Sequence, residues 1–315
     1  MIFDRSILAA FLALSTSVHG HTIVRSIWVN GVDQGTGVGI RTPANNGPIG
    51  PGYNSSPVKN LTSIDLRCNL LGDTQAADTI VVAPGDTLSF EWGHESRQDI
   101  DDIIANSHHG PGLVYISQDP PRDDSWVKLW EEGEYEPGKW FVTTKLIEDR
   151  GIHSIKIPAD LAPGYYLLRP ELITLHEGET KFPDNPIRGA QLYMACVQIR
   201  VAGAGGVSLP AGVGFPGAYD YSNPGINYNI YWTVPGAPPY PIPGPTVWSG
   251  AEPSIANPPL GTKKGELAFI PWSKWIITTE SVVYEVKTVE GVQTTESSAY
   301  TATWPTAYVT PAPTL

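Results

Sequence analysis

Short apolar stretches, several of them alternating with polar residues, recur along the chain and predict β-strands. In the first of these, alternation over 21–30 places four residues on one face, Ile23, Arg25, Ile27 and Val29. Further strands are predicted at 80–86 with a hairpin partner at 87–92, at 113–117, as a pair at 140–143 and 151–157, after a turn within 161–176, and at 191–201. Short strands at this spacing are typical of an all-β sandwich.

Three segments lack this pattern. Residues 41–60 are rich in proline, asparagine and glycine and predict a long surface loop. Residues 215–248 combine proline, glycine and tyrosine, and closely spaced prolines favour an extended surface segment. Beyond Trp248, residues 249–290 show no clear core pattern, and 291–315 have the threonine, serine and proline content of a flexible tail. We therefore expect a low-order, largely disordered extension over 249–315.

The first 20 residues have the layout of a secretory signal peptide. Arg5 precedes an apolar run over 7–14, and small residues follow up to Gly20. The run is too short to span a bilayer as a helix. Cleavage after Gly20 would make His21 the first residue of a secreted chain.

Charge and composition narrow the class of protein. The chain of 315 residues contains 32 glycines and 30 prolines and carries a formal net charge of −12. Such acidity argues against nucleic acid and anionic membranes as partners, because both repel an acidic surface. We expect a soluble extracellular protein.

The chain contains two cysteines, Cys68 and Cys196. In an exported protein they are expected to form one disulfide. The disulfide would close a loop of more than about 100 residues, and the chain-entropy model gives such a bond a stabilisation of the folded state on the order of 4–5 kcal/mol. Asn54 and Asn60 begin acceptor sequences for glycosylation, and Asn54 is the weaker candidate because Pro57 follows.

Histidines supply the candidate chemistry. An amino-terminal His21 would offer its imidazole and an α-amino group that titrates at roughly 7.7–8.0, and nitrogen ligands in a plane suit Cu(II). His108 and His109 precede an apolar strand in a turn stiffened by glycine and proline. Gln191 and Tyr193 lie two apart on a strand and therefore share a face. Taken singly, these features also fit a chance cleavage point, solvent-exposed loop histidines and a half-buried strand.

Seven segments containing these residues stand out together. They are His21-Thr-Ile-Val with Trp28-Val-Asn-Gly-Val-Asp, Phe90-Glu-Trp, His108-His-Gly-Pro-Gly-Leu-Val-Tyr115, Pro163-Gly-Tyr-Tyr-Leu-Leu-Arg-Pro-Glu-Leu-Ile-Thr-Leu-His176, Gly189-Ala-Gln-Leu-Tyr-Met-Ala-Cys-Val-Gln-Ile, Asn223-Pro-Gly-Ile and Ile242-Pro-Gly-Pro-Thr-Val-Trp248. In this order the chain resembles the fungal lytic polysaccharide monooxygenases of auxiliary activity family nine, formerly glycoside hydrolase family sixty-one. The resemblance covers 21–248, and the combination is far more specific than any one segment.

The resemblance implies a fold and a metal site. The fold is an immunoglobulin-like (fibronectin-like) β-sandwich with long loops and a flat substrate face over 21–248. The metal is one copper ion held by a histidine brace of His21 and, by the His-x-Gly-Pro pattern, His108. His109 is the neighbouring competitor for the second position. Tyr193 is the implied axial residue.

Further roles follow from the same resemblance. His176 and Gln191 correspond to the catalytic pair that hydrogen-bonds the oxygen species. Cys68 and Cys196 match a disulfide that is common in the family. Tyr219 and Tyr221 lie where the family often places a surface tyrosine, so they are candidates for stacking on sugar rings, with loop packing as the alternative.

The implied activity is oxidative cleavage of β-1,4-glucan, such as cellulose, at C1 and/or C4. It uses O2 or H2O2 and an external electron donor such as a small phenol, ascorbate or cellobiose dehydrogenase. The enzyme is expected to act as a monomer.

Three other classes remain open. A glycosidase needs two placed carboxylates, whereas adjacent pairs such as Asp101-Asp102 and Glu131-Glu132 would point apart on a strand. A non-catalytic copper-handling protein could share the brace, but such relatives tend to lack the axial tyrosine and its neighbouring pair. A carbohydrate-binding sandwich would not need His21 at the cleavage point. Copper-dependent glucan oxidation is our prediction, with copper handling as the alternative.

Overall fold

A computed structural model describes residues 20–43, 55–232 and 238–264, and the strand segments within 277–298. Residues 1–19, which hold most of the predicted signal, and Asn54 lie outside the described residues. The helical segments are α1 (Asp65–Cys68) and a π-helical turn (Phe141–Leu146). The strands are β1 (Ile23–Val29), β2 (Val32–Thr36), β3 (Ile40–Arg41), β4 (Ile80–Val82), β5 (Thr87–Gly93), β6 (Gly112–Gln118), β7 (Val127–Glu132), β8 (Glu134–Glu136), β9 (Lys139–Trp140), β10 (Ile152–Lys156), β11 (Gly164–Thr174), β12 (Gln191–Met194), β13 (Cys196–Val201), β14 (Ile277–Thr279), β15 (Val282–Val289) and β16 (Val292–Ser298).

Two sheets form a sandwich, which confirms the predicted all-β immunoglobulin-like fold. The smaller sheet has the order β10-β5-β1-β2, and the larger has the order β3-β13-β11-β6-β7, with β12 beside β11 and β4 beside β13. Apolar residues of both sheets fill the space between them, among them Ile27, Phe90, Leu168 and Val197. Their alternation along each strand directs one face of the sheet into this layer.

The larger sheet is buried on its other face as well. Leu167 and Ile173 of β11 pack there against residues of the proline-rich segment, including Phe215 and Tyr240. Proline lacks a backbone N–H group, so the prolines of that segment cannot donate to the hydrogen-bond ladder of the sheet. The predicted disulfide is confirmed: Cys68 and Cys196 join α1 to β13 with their Cα atoms 5.0 Å apart.

Two predicted strand pairings are wrong. Strand β4 pairs in parallel with β13 in the larger sheet, whereas β5 pairs with β1 and β10 in the smaller one, so 80–86 and 87–92 form no hairpin. Residues 141–146 are π-helical, and β10 pairs with β5 instead. Apolar alternation identifies a strand, but long-range packing selects its partner.

The carboxyl-terminal extension departs from the low-order expectation over 249–264. This part of it lies along the smaller sheet: Gly261 N donates to Gly31 O at 2.9 Å, and Asn257 Nδ2 donates to Ile152 O at 3.0 Å. Backbone and amide hydrogen bonds hold it, so it needs little apolar pattern of its own. Farther along, β14, β15 and β16 pair antiparallel with one another.

The described part of the chain contains no helix with the length and apolarity needed to cross a bilayer.

Candidate functional site

Four strand ends meet at one end of the sandwich. Pairing of Leu172 with Gly112 and of Thr174 with Gln191 brings together the end of β11 and the starts of β6 and β12. The start of β1, in the opposite sheet, faces the same end. His21, His108, His176 and Gln191 lie at or just outside these strand ends, so the topology assembles residues separated by up to 170 positions.

Four aromatic rings enclose one small volume there. The ring centroids of His21 and His108 are 6.4 Å apart, and those of His108 and His176 are 4.1 Å apart. The ring of Tyr193 lies 6.0 Å from His21 and 6.1 Å from His108. The proposed brace histidines, the proposed axial tyrosine and His176 are therefore neighbours in space.

The turn before β6 determines where His108 lies. A Cβ built on Gly110 would come within 1.8 Å of the carbonyl oxygen of Ile173, so only glycine lets the turn pass this close to β11. His108 N donates to Ala105 O at 2.9 Å, which closes the turn on its other side. Close packing of this turn against β11 therefore explains the glycine in the His-x-Gly-Pro pattern.

The imidazole of His108 is buried, and its Nε2 has no hydrogen-bond partner among the described residues. Its Nδ1 lies 3.2 Å from Ser107 Oγ. Burial, reinforced by the neighbouring histidines His176 and His21, lowers the pKa of His108 to about 3. The ring is therefore neutral at physiological pH and its Nε2 can act as a ligand. A buried nitrogen without a partner is the feature expected of a ligand atom.

The predicted cleavage point lies against this nitrogen. A Cβ built on Gly20 would lie 2.6 Å from Cε1 and 3.2 Å from Nε2 of His108. The Gly20–His21 peptide bond, whose cleavage would create the α-amino group, is therefore next to the buried imidazole. Two imidazoles and an amine form a donor set that fits copper.

His109 is turned to other partners. Its Nδ1 lies 2.5 Å from Thr143 Oγ1, and its carbonyl oxygen accepts a hydrogen bond from Leu175 N. Burial lowers the pKa of His109 as well. Since Thr143 already engages this ring, the geometry favours His108 as the second ligand.

A hydrogen-bonded relay leads away from the rings. Tyr193 donates to Gln191 Oε1 at 2.7 Å, and Gln191 Nε2 donates to Glu177 Oε2 at 2.9 Å. Burial raises the pKa of Tyr193 well above its usual value, so the phenol stays protonated. Sequence reasoning identified Gln191 and Tyr193 but missed Glu177, whose only signal is that it directly follows His176.

His176 completes the cluster. Burial lowers its pKa, and its buried Nδ1 has no hydrogen-bond partner within the described ranges. A second nitrogen of the cluster is therefore available to a ligand or a water molecule.

The stacking role predicted for Tyr219 is wrong. Tyr219 is 3 % exposed, and its hydroxyl is used by Tyr115 at 2.9 Å and by Glu171 at 2.7 Å. Tyr221 is half-buried, and its hydroxyl accepts a hydrogen bond from Leu61 N at 2.9 Å. A tyrosine in a loop can face the core as readily as solvent, and here the buried charges of the larger sheet attract it inward.

Two aromatic residues that the sequence reasoning missed are exposed beside the cluster. Tyr231 and Trp232 are 69 % and 76 % exposed. The Tyr231 hydroxyl donates to the carbonyl oxygen of His176 at 3.1 Å, which holds Tyr231 next to the site, and Trp232 follows it in the chain. The sequence does not single out these two residues as exposed, because the same proline-rich segment contains several other aromatic residues.

Two further observations concern the predicted site residues. Among the residues that the structure describes, no group of three or more His, Cys, Asp or Glu side chains is placed to hold a metal. The predicted copper site consists instead of two imidazoles and an amine. Asn60 is exposed at the surface, and its Oδ1 accepts from Thr62 N and Thr62 Oγ1, so its glycosylation stays a prediction.

Comparison with known proteins identifies relatives that are similar in sequence and in fold. The profile of Auxiliary Activity family 9 (formerly GH61) matches residues 21–240. A protein of Aspergillus clavatus named AA9 family lytic polysaccharide monooxygenase A is 44 % identical over 257 residues, covering 80 % of this chain and 67 % of that protein.

Solved structures are also similar. The structure titled CvAA9A is 40 % identical with a TM-score of 0.66, over 74 % of this chain and 100 % of the other. A structure titled as a cellulose-active polysaccharide monooxygenase from M. thermophila is 29 % identical with a TM-score of 0.54, over 72 % of this chain and 99 % of the other.

The chain spans 56 % to 67 % of the length of the curated relatives compared.

Proposed function

Because the chain belongs to Auxiliary Activity family 9, a family of lytic polysaccharide monooxygenases, we propose that it is a secreted, copper-dependent enzyme that cleaves β-1,4-glucan oxidatively. The observation that carries the proposal is the buried, unpaired Nε2 of His108 beside His21 and Tyr193. Removal of residues 1–20 completes the donor set with the α-amino group of His21.

Three residues are proposed to form the metal site. His21 would supply an imidazole and the amine, His108 would supply Nε2, and the protonated phenol of Tyr193 would face the same ion. A bound copper ion would supply the one-electron chemistry needed to activate O2 or H2O2, with electrons from a donor such as ascorbate, a small phenol or cellobiose dehydrogenase. Burial keeps His108 neutral, so no proton competes for its nitrogen near neutral pH.

The polar neighbours orient the oxygen co-substrate. His176 presents an unpaired Nδ1 to the cluster. Gln191 is held between the Tyr193 hydroxyl and Glu177, so its amide has one orientation. Fixed hydrogen-bonding groups beside a metal tune its reactivity without binding it.

A glucan chain is the proposed substrate. Tyr231 and Trp232 offer exposed aromatic faces beside His176, and such faces suit the apolar sides of sugar rings. The M. thermophila relative is titled cellulose-active, which makes cellulose the first substrate to test. Cleavage at C1 and/or C4 and action as a monomer complete the proposal.

Product mass spectrometry tests the activity. Signal-processed protein loaded with one copper ion is incubated with amorphous cellulose, with and without ascorbate. Oligosaccharides with oxidised ends that depend on ascorbate are expected, and lactone or ketone products distinguish C1 from C4 oxidation. Tight copper binding without oxidised products on several β-glucans would instead support a copper-handling protein.

The substrate face is tested with a matched pair of variants. Trp232→Ala is expected to weaken binding to cellulose about fivefold, the loss of roughly 1 kcal/mol of aromatic contact. Tyr165→Ala removes an aromatic ring that is 59 % exposed at the opposite end of β11, and binding should not change. Equal effects of both substitutions would place the substrate elsewhere.

A further inference from the structure

A buried ionic cluster lies on the outer face of the smaller sheet. Arg97 Nη2 is 2.8 Å from Asp33 and 2.6 Å from Glu91, and Arg97 Nε donates to Glu91 at 3.0 Å. All three side chains are at most 3 % exposed. Trp28 Nε1 also donates to Glu91 at 2.8 Å. Buried charges need such complete pairing, since each one costs several kcal/mol to desolvate.

The carboxyl-terminal segment 248–264, called here the strap, closes this cluster. Lys263 Nζ donates to Arg97 O at 2.8 Å and lies 3.3 Å from Glu91. Arg97 Nη1 donates to Lys264 O at 2.9 Å, and Lys264 N donates to Asp33. The strap therefore adds one cation and two backbone groups to a cluster that otherwise has two carboxylates for one guanidinium.

The strap passes the β1–β2 turn at close range. Gly31 has φ of 77°, and a Cβ there would come within 2.6 Å of Pro259 O. Trp248 and Ala251 pack on the core, and Trp130 Nε1 donates to Ser254 Oγ at 3.0 Å. These contacts bring Lys263 to the cluster in a defined position.

Arg97 belongs to the loop 94–107, called here the His108 loop, which connects β5 to His108. The carboxylate of Asp101 accepts hydrogen bonds from the backbone N–H groups of His94, Ser96 and Ile103. Ile103 is buried with φ of 65°, a conformation that β-branched residues rarely adopt unless their surroundings enforce it. The loop is thus a tightly constrained unit.

The far end of this loop meets the candidate site. Ile104 is buried in the core, and His108 N donates to Ala105 O at 2.9 Å. One constrained unit therefore connects Arg97, under the strap, to the histidine whose Nε2 faces the site.

We propose that the strap positions the copper site: Lys263 holds Arg97, and Arg97 holds the loop that presents His108. This rests on the proposed function, since it concerns the same metal. Lys263 and Arg97 act as positioning residues and touch neither metal nor substrate. Small displacements of a ligand's support change metal affinity and spectroscopic parameters before they change the fold.

The test compares full-length, signal-processed variants. Lys263→Met removes the cation from the cluster, and Asn257→Ala is the matched control because it removes a strap contact to Ile152 of β10 and leaves Lys263 in place. Copper affinity and the Cu(II) electron paramagnetic resonance spectrum are measured beside the melting temperature. Lys263→Met should lower copper affinity three- to tenfold and shift the spectrum, whereas Asn257→Ala should change at most the melting temperature.

The outcomes are separable. If Lys263→Met lowers the melting temperature but leaves affinity and spectrum as in the wild type, the strap is only structural and the inference is wrong. Lys263→Arg should restore the wild-type spectrum, and Lys263→Gln gives a milder variant should the methionine form fail to fold. Failure of the wild-type protein to bind copper would overturn the proposed function itself, independently of the strap.

Discussion

Strand β11 carries two buried polar clusters that differ in how completely they are paired. On its outer face, Arg169 and Glu171 are fully buried and joined by two hydrogen bonds of 2.7 and 2.8 Å. Arg169 also donates to the carbonyl oxygens of Arg67 and Leu66. At the end of the same strand, His108 and His176 each keep a buried nitrogen without a partner among the described residues.

The two clusters differ in role: the fully paired one stabilises the fold, and the incompletely paired one is the candidate site. In the outer cluster, Tyr219 donates to Glu171 and shares a hydrogen bond with Tyr115, so the network satisfies its own charges. Such a network stabilises one arrangement of the sheet and its covering loop. In the other cluster, the rings of His108 and His176 are 4.1 Å apart and each has a buried nitrogen without a partner among the described residues, which is costly unless a ligand binds there. This incomplete pairing, between histidines that lie side by side, is the feature on which the proposed metal site rests.

The largest effect is expected from breaking the complete cluster. Arg169→Met leaves Glu171 buried without its cation and should lower the free energy of unfolding by about 3–5 kcal/mol. Denaturant unfolding curves of the variant and the wild type measure this loss of unfolding free energy. Lys139→Ala, at an exposed pair with Glu136, is the control and should produce no measurable change. Copper affinity of the folded Arg169→Met protein should match the wild type; a large loss would mean that the two clusters are coupled.

The incomplete cluster should respond in the opposite way. His108→Ala removes a proposed ligand and should lower copper affinity more than about 100-fold, beyond the range typical of supporting residues. The metal-free protein should lose less unfolding free energy than Arg169→Met does, because Nε2 had no partner and only the ring's packing and its contact with Ser107 disappear. His109→Ala is the matched control and should retain copper within a few fold. Calorimetric titration measures the copper affinity of each variant. Equal losses of affinity in both variants would contradict the assignment of His108 as the ligand.

A smaller effect is expected at the relay. Gln191→Leu disconnects Tyr193 from Glu177 and should reduce the rate of oxidised-product release about 10- to 100-fold. Copper affinity should change little, since Gln191 is not a proposed ligand. The rate is measured at saturating ascorbate. A variant that keeps the wild-type rate would remove Gln191 from the catalytic pair.

His153 shows whether an unpaired nitrogen alone marks a site. Its Nε2 also has no partner in the described chain, but its ring lies among aromatic side chains, 3.9 Å from Trp130 and 5.3 Å from Phe141. Burial lowers its pKa to about 3. The unfolded chain, with a pKa of about 6.5, then binds a proton that the folded protein excludes, so stability falls as the pH drops below about 6.5.

His153→Phe should remove that part of the acid sensitivity. At pH 5 the expected contribution is about 2 kcal/mol relative to pH 8, from 1.36 kcal/mol per pKa unit. Unfolding curves of metal-free wild type and variant at both pH values measure the difference. Parallel pH dependence of the two proteins would show that His153 takes up a proton in the folded state.

The class of fold, the disulfide and the ligand candidates could all be predicted from the amino-acid sequence. Alternation predicted β1, β5, β6 and the strong strand at 191–201, because side-chain period depends on local geometry alone. Ordered motifs singled out His21, His108, His176, Gln191 and Tyr193. These motifs contain close-approach glycines such as Gly110, whose requirement is a local steric one.

Tertiary structure decided the rest. Strand partners, the burial of Tyr219, the exposure of Trp232 and the contact of Lys263 with Arg97 all depend on which distant residues pack together. No local pattern records such contacts, because a tyrosine in a proline-rich loop turns inward only when a buried charge such as Glu171 is there to receive its hydroxyl. Composition made 249–264 look unstructured, whereas hydrogen bonds to the smaller sheet hold it in place.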